Sequence, residues 1–164
     1  MHLISRRTVT RLALGALLGA TLFLAGCSSG LSPAQIALLK QQGFELTDDG
    51  WQFGIDSKLL FGSNEATLAA GQRDSIGRLA QALLSVDIQK ARVEGHTDDF
   101  GTDEYNNDLS LRRAQAVADA LVAAGMRPGD LQVRGLGKTA PAEDNRSSAG
   151  RRENRRVSII VGNQ

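Results

Sequence analysis

The sequence predicts a single folded domain in which helices and strands alternate, the pattern of the α/β and α+β classes. Stretches with apolar residues at helical spacing are followed by short runs rich in Val and Ile. The 164 residues suffice for one domain of ordinary size. The single cysteine leaves no intramolecular disulfide, so an apolar core must stabilise the fold.

The N-terminal segment has the features of a signal peptide. Arg6, Arg7 and Arg11 form a basic start, and the apolar run 12–25 is too short to span a bilayer comfortably. The run ends in Leu-Ala-Gly-Cys, with the cysteine at position 27. This ending resembles the lipobox of bacterial lipoproteins, which implies cleavage before Cys27 and lipidation of its thiol and amine. An ordinary buried cysteine or a short membrane anchor is the alternative.

The residues after the cysteine bear on location and on partners. Ser28 and Ser29 follow it, and by the same resemblance the lack of an aspartate there favours the outer membrane.

Three of the 19 Lys and Arg residues lie in the signal segment, so 16 remain against 18 Asp and Glu. The mature chain is not a polycation, and neither nucleic acid nor an anionic membrane surface is indicated as a partner.

A short helix is predicted directly after the leash 27–30. Ser32 is a suitable N-cap, Pro33 suits the first helical position, and Gln35 completes a capping box. Gly43 is placed to end this helix.

Two alternating runs, 44–46 and 51–53, flank the Thr47-Asp48-Asp49-Gly50 segment and predict a β-hairpin with an Asp-Gly turn. Residues 59–61 (Leu-Leu-Phe) are expected to extend the sheet.

The remaining elements follow from periodicity. Helices are predicted around Ile76–Leu83 and Ala114–Leu121, the second ending at Gly125. Strands are predicted at residues 91–96, 131–134 and 156–161, with a long polar loop at 135–154.

Four ordered motifs carry a resemblance to a known family: Gly95-His96-Thr97-Asp98, Tyr105-Asn106, Leu109-Ser110-Leu111-Arg112-Arg113-Ala114 and Glu153-Asn154-Arg155-Arg156-Val157. Together they resemble the OmpA-like peptidoglycan-binding domain over roughly residues 53–161. The resemblance implies an α+β fold, a β/α/β/α/β-β sandwich with helices on one face of a mixed sheet. It also implies binding of the peptidoglycan stem peptide without catalysis.

The resemblance assigns a ligand site for the free centre of meso-diaminopimelate. Asp98, at the end of a strand, would receive the ammonium, and Arg113, expected in the first turn of the next helix, would bind the carboxylate with two prongs. The further contacts are Asn106, Leu109, Asn64 and the backbone of Phe100, Gly101 and Thr102, the last three as an anion nest. A simple Asp98–Arg113 ion pair capping the helix is the alternative. Arg155 is either a neighbour of the site or a strand-edge charge.

An enzyme is not expected. The mature chain has one histidine, His96, and no cysteine other than Cys27, so a metal site of ordinary type is not indicated and no cofactor is expected. Asp98 and Asp99 are adjacent and point to opposite sides of an extended chain, so they cannot flank one substrate bond. His96 is predicted to be a packed strand residue rather than a general base.

Segment 31–51 and residues 58–62 resemble one subgroup of the family, the YfiB-type outer-membrane lipoproteins. That likeness implies capture of a YfiR-type periplasmic repressor, which would release an inner-membrane diguanylate cyclase. A Pal-like structural anchor between outer membrane and cell wall is the alternative. The apolar residues proposed as a partner surface, with packing onto the core as the other interpretation, are Ile36, Leu39, Phe44, Trp51 and Phe53.

The predicted organisation has four parts. They are a signal peptide at 1–26, a lipidated leash at 27–30, a helix and hairpin tether at 31–52, and the OmpA-like domain at 53–164.

Overall fold

The structure, a computed structural model, describes residues 30–62 and 65–162. The signal segment, Cys27 and Asn64 lie outside the described residues. In chain order the elements are α1 (Pro33–Gln41), β1 (Glu45–Thr47), β2 (Gly50–Asp56), α2 (Ser57–Leu60), α3 (Ala70–Ser85), β3 (Ala91–Gly95), α4 (Asp103–Ala123), a 3-10 turn (Pro128–Asp130), β4 (Leu131–Gly135), α5 (Ser148–Asn154) and β5 (Arg156–Val161).

Helix α1 begins and ends as its sequence predicts. The Gln35 amide N–H donates to the Ser32 hydroxyl at 3.3 Å, and the Gln35 side chain accepts from the Ser32 N–H at 2.8 Å. Gly43 follows the helix with a φ of +86°, a left-handed conformation that glycine adopts without strain. The Gln35 side-chain amide also donates to the Val86 carbonyl at 3.0 Å, which ties α1 to the end of α3.

The five strands form one mixed sheet in the order β1-β2-β5-β3-β4. All neighbours pair antiparallel except β3 and β4, which are parallel. The predicted hairpin is present, with Thr47 opposite Gly50. The central run β2-α3-β3-α4-β4-β5 is the β/α/β/α/β-β order that the family resemblance implies.

Two local predictions are wrong. Residues 59–61 do not extend the sheet, because a short helix, α2, starts at Ser57, where the Asp56 carboxylate accepts from the Lys58 N–H at 2.9 Å. The loop 135–154 is not irregular throughout, since its end forms α5. There the Ser147 hydroxyl accepts from the Gly150 N–H at 2.8 Å.

The core lies between the sheet and helices α3 and α4. Its fully buried side chains come from both layers: Leu83 of α3, Val117 and Leu121 of α4, and Val93, Val157 and Ile159 of the sheet. Burial of such side chains is the main favourable term in folding.

Two glycines let α4 approach the sheet closely. A Cβ at Gly95 would overlap the Ser110 carbonyl, and one at Gly135 would lie 2.6 Å from the Leu111 nitrogen. Gly95 and Gly135 are paired across β3 and β4. Helix α4 therefore crosses the C-terminal ends of these strands, and this contact brings its first half to the loop that follows β3.

The proposed partner surface needs a correction. Leu39 and Phe44 are 0% and 3% exposed and belong to the core, because α1 and the hairpin fold back onto α3 and β2. Trp51 and Phe53 are half-buried against that core, and the Phe44 and Phe53 rings stack at 5.3 Å. Ile36 is also half-buried. In this conformation the five residues are not a continuous exposed surface.

Candidate ligand-binding site

A cleft of about 750 Å³ opens beside the end of β3. Its walls come from α2 and the residues after it, from the loop after β3, from α4, and from Arg155 between α5 and β5. The lining residues are Ser57, Lys58, Phe61, Gly62, Thr97, Asp98, Phe100, Gly101, Tyr105, Asn106, Leu109, Arg113 and Arg155.

Asp98 lines the cleft and has two hydrogen-bond partners. Its Oδ2 lies 2.6 Å from Nη1 of Arg155, and its Oδ1 accepts from the Phe100 N–H at 3.3 Å. The Asp98 side chain is 13% exposed and that of Arg155 is 24% exposed. Arg155 is thus a neighbour of the site rather than a strand-edge charge, and it holds the Asp98 carboxylate in place.

Arg113 lies farther along its helix than predicted. Helix α4 begins at Asp103, so Arg113 is ten residues inside it rather than in the first turn. The expectation was wrong because Thr102, not a residue near Leu109, is the N-cap. The close packing of α4 on the sheet still brings Arg113 to the cleft.

The Arg113 guanidinium is buried without a carboxylate partner among the described residues. Its Nε donates to the Glu65 carbonyl at 2.9 Å, and the group lies 5.3 Å from the centre of the Phe61 ring. The residue is 6% exposed, and this burial lowers the pKa of Arg113, with Tyr105 acting in the opposite direction. Asp98 pairs with Arg155, so the alternative prediction of a direct Asp98–Arg113 ion pair is wrong.

The loop after β3 is fixed by Asn106. Its side-chain amide, in a residue 2% exposed, donates to the Phe100 carbonyl at 2.8 Å. Gly101 has a φ of +90°, which allows the sharp turn into α4. The Thr102 hydroxyl accepts from the Tyr105 N–H at 3.2 Å and so caps the helix. Because the Phe100 N–H donates to Asp98, it is not available for the predicted anion nest.

Six of the eight predicted ligand contacts line the cleft: Asp98, Phe100, Gly101, Asn106, Leu109 and Arg113. Thr102 acts as a cap and is not among the lining residues, and Asn64 lies outside the described residues. Sequence reasoning missed Ser57, Lys58 and Phe61, which reach the cleft because α2 follows β2 and β2 pairs with β5. Lys58 and Phe61 lie in the stretch 58–62 that carried the subgroup resemblance, and Tyr105 lies in a quoted motif, but none of the three was assigned to the ligand site.

His96 is buried directly after the end of β3, where its backbone N–H donates to the Arg156 carbonyl at 2.9 Å, and it does not line the cleft. It is 3% exposed, and burial together with the nearby Arg156 charge lowers its pKa from 6.5 to about 4. The imidazole is therefore neutral at neutral pH and is shielded from any ligand in the cleft, as expected for a packed strand residue.

Comparison with known proteins places this geometry in a recognisable group. The OmpA family model matches residues 60–155. The outer-membrane lipoprotein YfiB of Pseudomonas aeruginosa is 51% identical over 157 residues, covering 93% of this chain and 94% of that protein. A lipoprotein of Escherichia coli K12, also called YfiB, is 38% identical over 86% of this chain and 91% of its own length.

A solved structure agrees with the fold. The cell wall anchor of the type VI secretion system from Pseudomonas aeruginosa superposes with a TM-score of 0.64 at 32% identity, covering 83% of this chain and 99% of that one. The predicted α+β fold is thereby confirmed. None of these proteins is named for a catalytic activity.

The names of the two lipoprotein relatives also bear on location. The outer-membrane location predicted from the sequence is confirmed by the similarity to the Pseudomonas aeruginosa outer-membrane lipoprotein, and the Escherichia coli relative is likewise named a lipoprotein. Within residues 30–62 and 65–162, each helix is too short or too polar to cross a membrane.

Proposed function

The chain belongs to the OmpA family, and on that premise we propose that it binds peptidoglycan non-covalently through the free centre of meso-diaminopimelate. This centre carries an ammonium and a carboxylate on one carbon. The cleft offers a carboxylate, Asp98, from the loop after β3 and a guanidinium, Arg113, from α4.

The observation that carries the proposal is the buried Arg113 guanidinium without a carboxylate partner among the described residues. A buried cation of this kind is stabilised when a carboxylate reaches it, because the two can form paired, charge-assisted hydrogen bonds. Asp98, held by Arg155 and the Phe100 N–H, presents its remaining lone pairs to an ammonium. Specificity for a zwitterion follows from the two opposite charges at fixed positions.

The test is co-sedimentation of the purified protein with sacculi. Asp98→Ala and Arg113→Ala each leave a charged ligand group unpaired, at a cost of about 2–5 kcal/mol, so both variants should remain in the supernatant. Arg112→Ala is the matched control, because Arg112 is the next residue on α4, is 53% exposed and pairs with Asp108 outside the cleft. Sacculi with amidated diaminopimelate should also bind poorly.

Wild-type sedimentation by a folded Asp98→Ala or Arg113→Ala variant would contradict the site. Circular dichroism of each variant separates a lost contact from a lost fold. Equal losses in all three variants, including Arg112→Ala, would point to non-specific charge attraction instead.

A second proposal concerns signalling. The 51% identity to YfiB extends through the helix and hairpin tether at 31–52 as well as the OmpA-like domain. We propose that the lipid anchor at Cys27 holds the chain to the outer membrane while the protein sequesters a YfiR-type periplasmic repressor. Inner-membrane diguanylate cyclase activity would then rise. Purified repressor should be retained by immobilised wild-type protein and not by the Trp51→Ala variant. That result would support the signalling role rather than the role of a Pal-like anchor.

A further inference from the structure

The cleft carries more positive charge than a zwitterion can neutralise. Among the described lining residues, Lys58, Arg113 and Arg155 are cations, and Asp98 is the only carboxylate. A ligand centre with one ammonium and one carboxylate adds no net charge. Two positive charges therefore remain in the cleft after the contacts proposed above have formed.

Lys58 is the cation without a role in those contacts. Arg155 pairs with Asp98, and Arg113 meets the ligand carboxylate, but no described carboxylate lies within 4.0 Å of the Lys58 ammonium. The acid nearest in sequence, Asp56, is engaged elsewhere. Its Oδ1 accepts from the Lys58 N–H at 2.9 Å, and its Oδ2 lies 2.8 Å from Nε of Arg152.

Glu65 lines a second groove together with Lys58. Its carboxylate lies against Gly62 in this groove, but Glu65 does not line the cleft itself. The short helix α2 holds Lys58 at the wall, because the Ser57 N–H donates to the Arg155 carbonyl at 2.8 Å. The residue before Lys58 is thus hydrogen-bonded to Arg155, the residue that holds Asp98.

We propose that Lys58 forms a second anion subsite, so that the preferred ligand carries a second free carboxylate close to its zwitterionic centre. The inference rests on the proposed function. In a stem peptide, two groups have this chemistry: the α-carboxylate of the neighbouring γ-linked D-glutamate, and the carboxylate of the other diaminopimelate centre where it ends the peptide. The subsite prefers stems in which at least one of these groups is not amidated.

The experiment compares three synthetic tripeptides, L-Ala-γ-D-Glu-meso-diaminopimelate and its two derivatives with one of these carboxylates amidated. Each is titrated by calorimetry at low salt against the full chain in detergent. The wild type should lose affinity two- to fivefold on one of the amidations, the range of a partly exposed ion pair. The derivative that shows the loss identifies the carboxylate concerned.

Variants assign the effect to Lys58. In Lys58→Met the loss on amidation should disappear, and in Lys58→Glu the amidated peptide should bind better than the parent. Lys90→Met is the matched control, since Lys90 is an exposed lysine at the opposite end of β3 and should keep the wild-type loss. Because the pair is partly exposed, raising the salt concentration should shrink the difference.

Two results would overturn the inference while leaving the proposed function intact. One is equal affinity of the wild type for all three peptides. The other is an unchanged amidation loss in Lys58→Met. In both cases Asp98→Ala would still abolish binding of the parent tripeptide. If the parent tripeptide does not bind the wild type, or binds Asp98→Ala equally well, the proposed function itself fails.

Discussion

At the residue scale, the cations around Asp98 differ in what they contribute. Arg155 is already paired with the carboxylate at 2.6 Å, so a ligand ammonium must share Asp98 with it. Arg113 is held by the Glu65 carbonyl and the Phe61 ring, neither of which carries a formal charge. Arg155 is therefore a positioning residue for Asp98, whereas Arg113 keeps its charge available to the ligand.

Asn154 shows how the late Asn-Arg-Arg-Val motif serves the site indirectly. Its fully buried side chain accepts from the Ala142 and Glu143 N–H groups at 2.7 and 2.9 Å and donates to the Glu143 carbonyl at 2.7 Å. These bonds fasten the loop before α5, so the next residue, Arg155, enters the cleft at a fixed position.

His96 predicts a pH dependence of stability. Its pKa is lowered from 6.5 to about 4 in the folded state, so between these values the unfolded chain binds a proton that the folded chain does not. The contribution of neutral His96 to the free energy of unfolding is therefore fully present above pH 6.5. It is lost as the pH falls towards 4, by up to about 3 kcal/mol. Urea unfolding at several pH values should show this slope, and His96→Phe should flatten it. An identical slope in His96→Phe would assign the effect to other groups.

At the scale of single elements, the packing of α4 on β3 decides whether the site exists. A Cβ at position 95 would overlap the Ser110 carbonyl, so Gly95→Ala must push α4 away from the sheet. Overpacking of this kind costs about 1–3 kcal/mol or more, and we expect both the urea midpoint and sacculus binding to fall. Gly71→Ala is the control. Gly71 lies in α3 with no atom within 4 Å of the added Cβ, so that change should be neutral or stabilising.

Helix α1 gives a second prediction at this scale. Leu39 anchors it in the core, and Gln35 ties it to the end of α3. Leu39→Pro costs about 3 kcal/mol in the helix and also removes the buried side chain, so it should release the segment. Helix α1 has nine residues, and if it becomes extended it gains roughly 17 Å of reach. Cyclic-di-GMP should then rise in cells that carry the variant.

The controls for Leu39→Pro test both reach and wall binding. Leu39→Met keeps the helix and an apolar side chain, so it should behave as wild type. The rise in cyclic-di-GMP should disappear when Asp98→Ala or Arg113→Ala is added. Unchanged cyclic-di-GMP at normal protein level would favour a plain envelope anchor.

For the whole molecule, the proposed lipidation makes attachment to the membrane dependent on one thiol, that of Cys27. Cys27→Ser removes the acceptor of the lipid, so unprocessed precursor should accumulate and radioactive palmitate should not be incorporated. Several acyl chains bind a membrane far more firmly than one, so the outer-membrane fraction should lose the protein. Equal labelling of the variant and the wild type would refute lipidation at this position.

The sequence by itself determined the family and the order of the central elements, and it indicated Asp98 and Arg113, which line one cleft, as the candidate ligand pair. Caps, turns and helical periodicity are interactions between near neighbours in the chain, so Ser32 with Gln35, the Asp-Gly hairpin and strand 156–161 could be predicted from local patterns. The four motifs supplied the topology that local patterns do not contain.

Only the tertiary structure decided which distant side chains meet. The pairing of β2 with β5 brings α2, and with it Lys58, to the same cleft as Arg155. Docking of α1 on α3 turns Leu39 into a core residue rather than a surface residue. The β2–β5 pairing joins residues 100 to 110 apart in the chain, from Asp56 with Arg156 to Trp51 with Val161. Such contacts depend on strand register and helix packing, which no short stretch of sequence specifies.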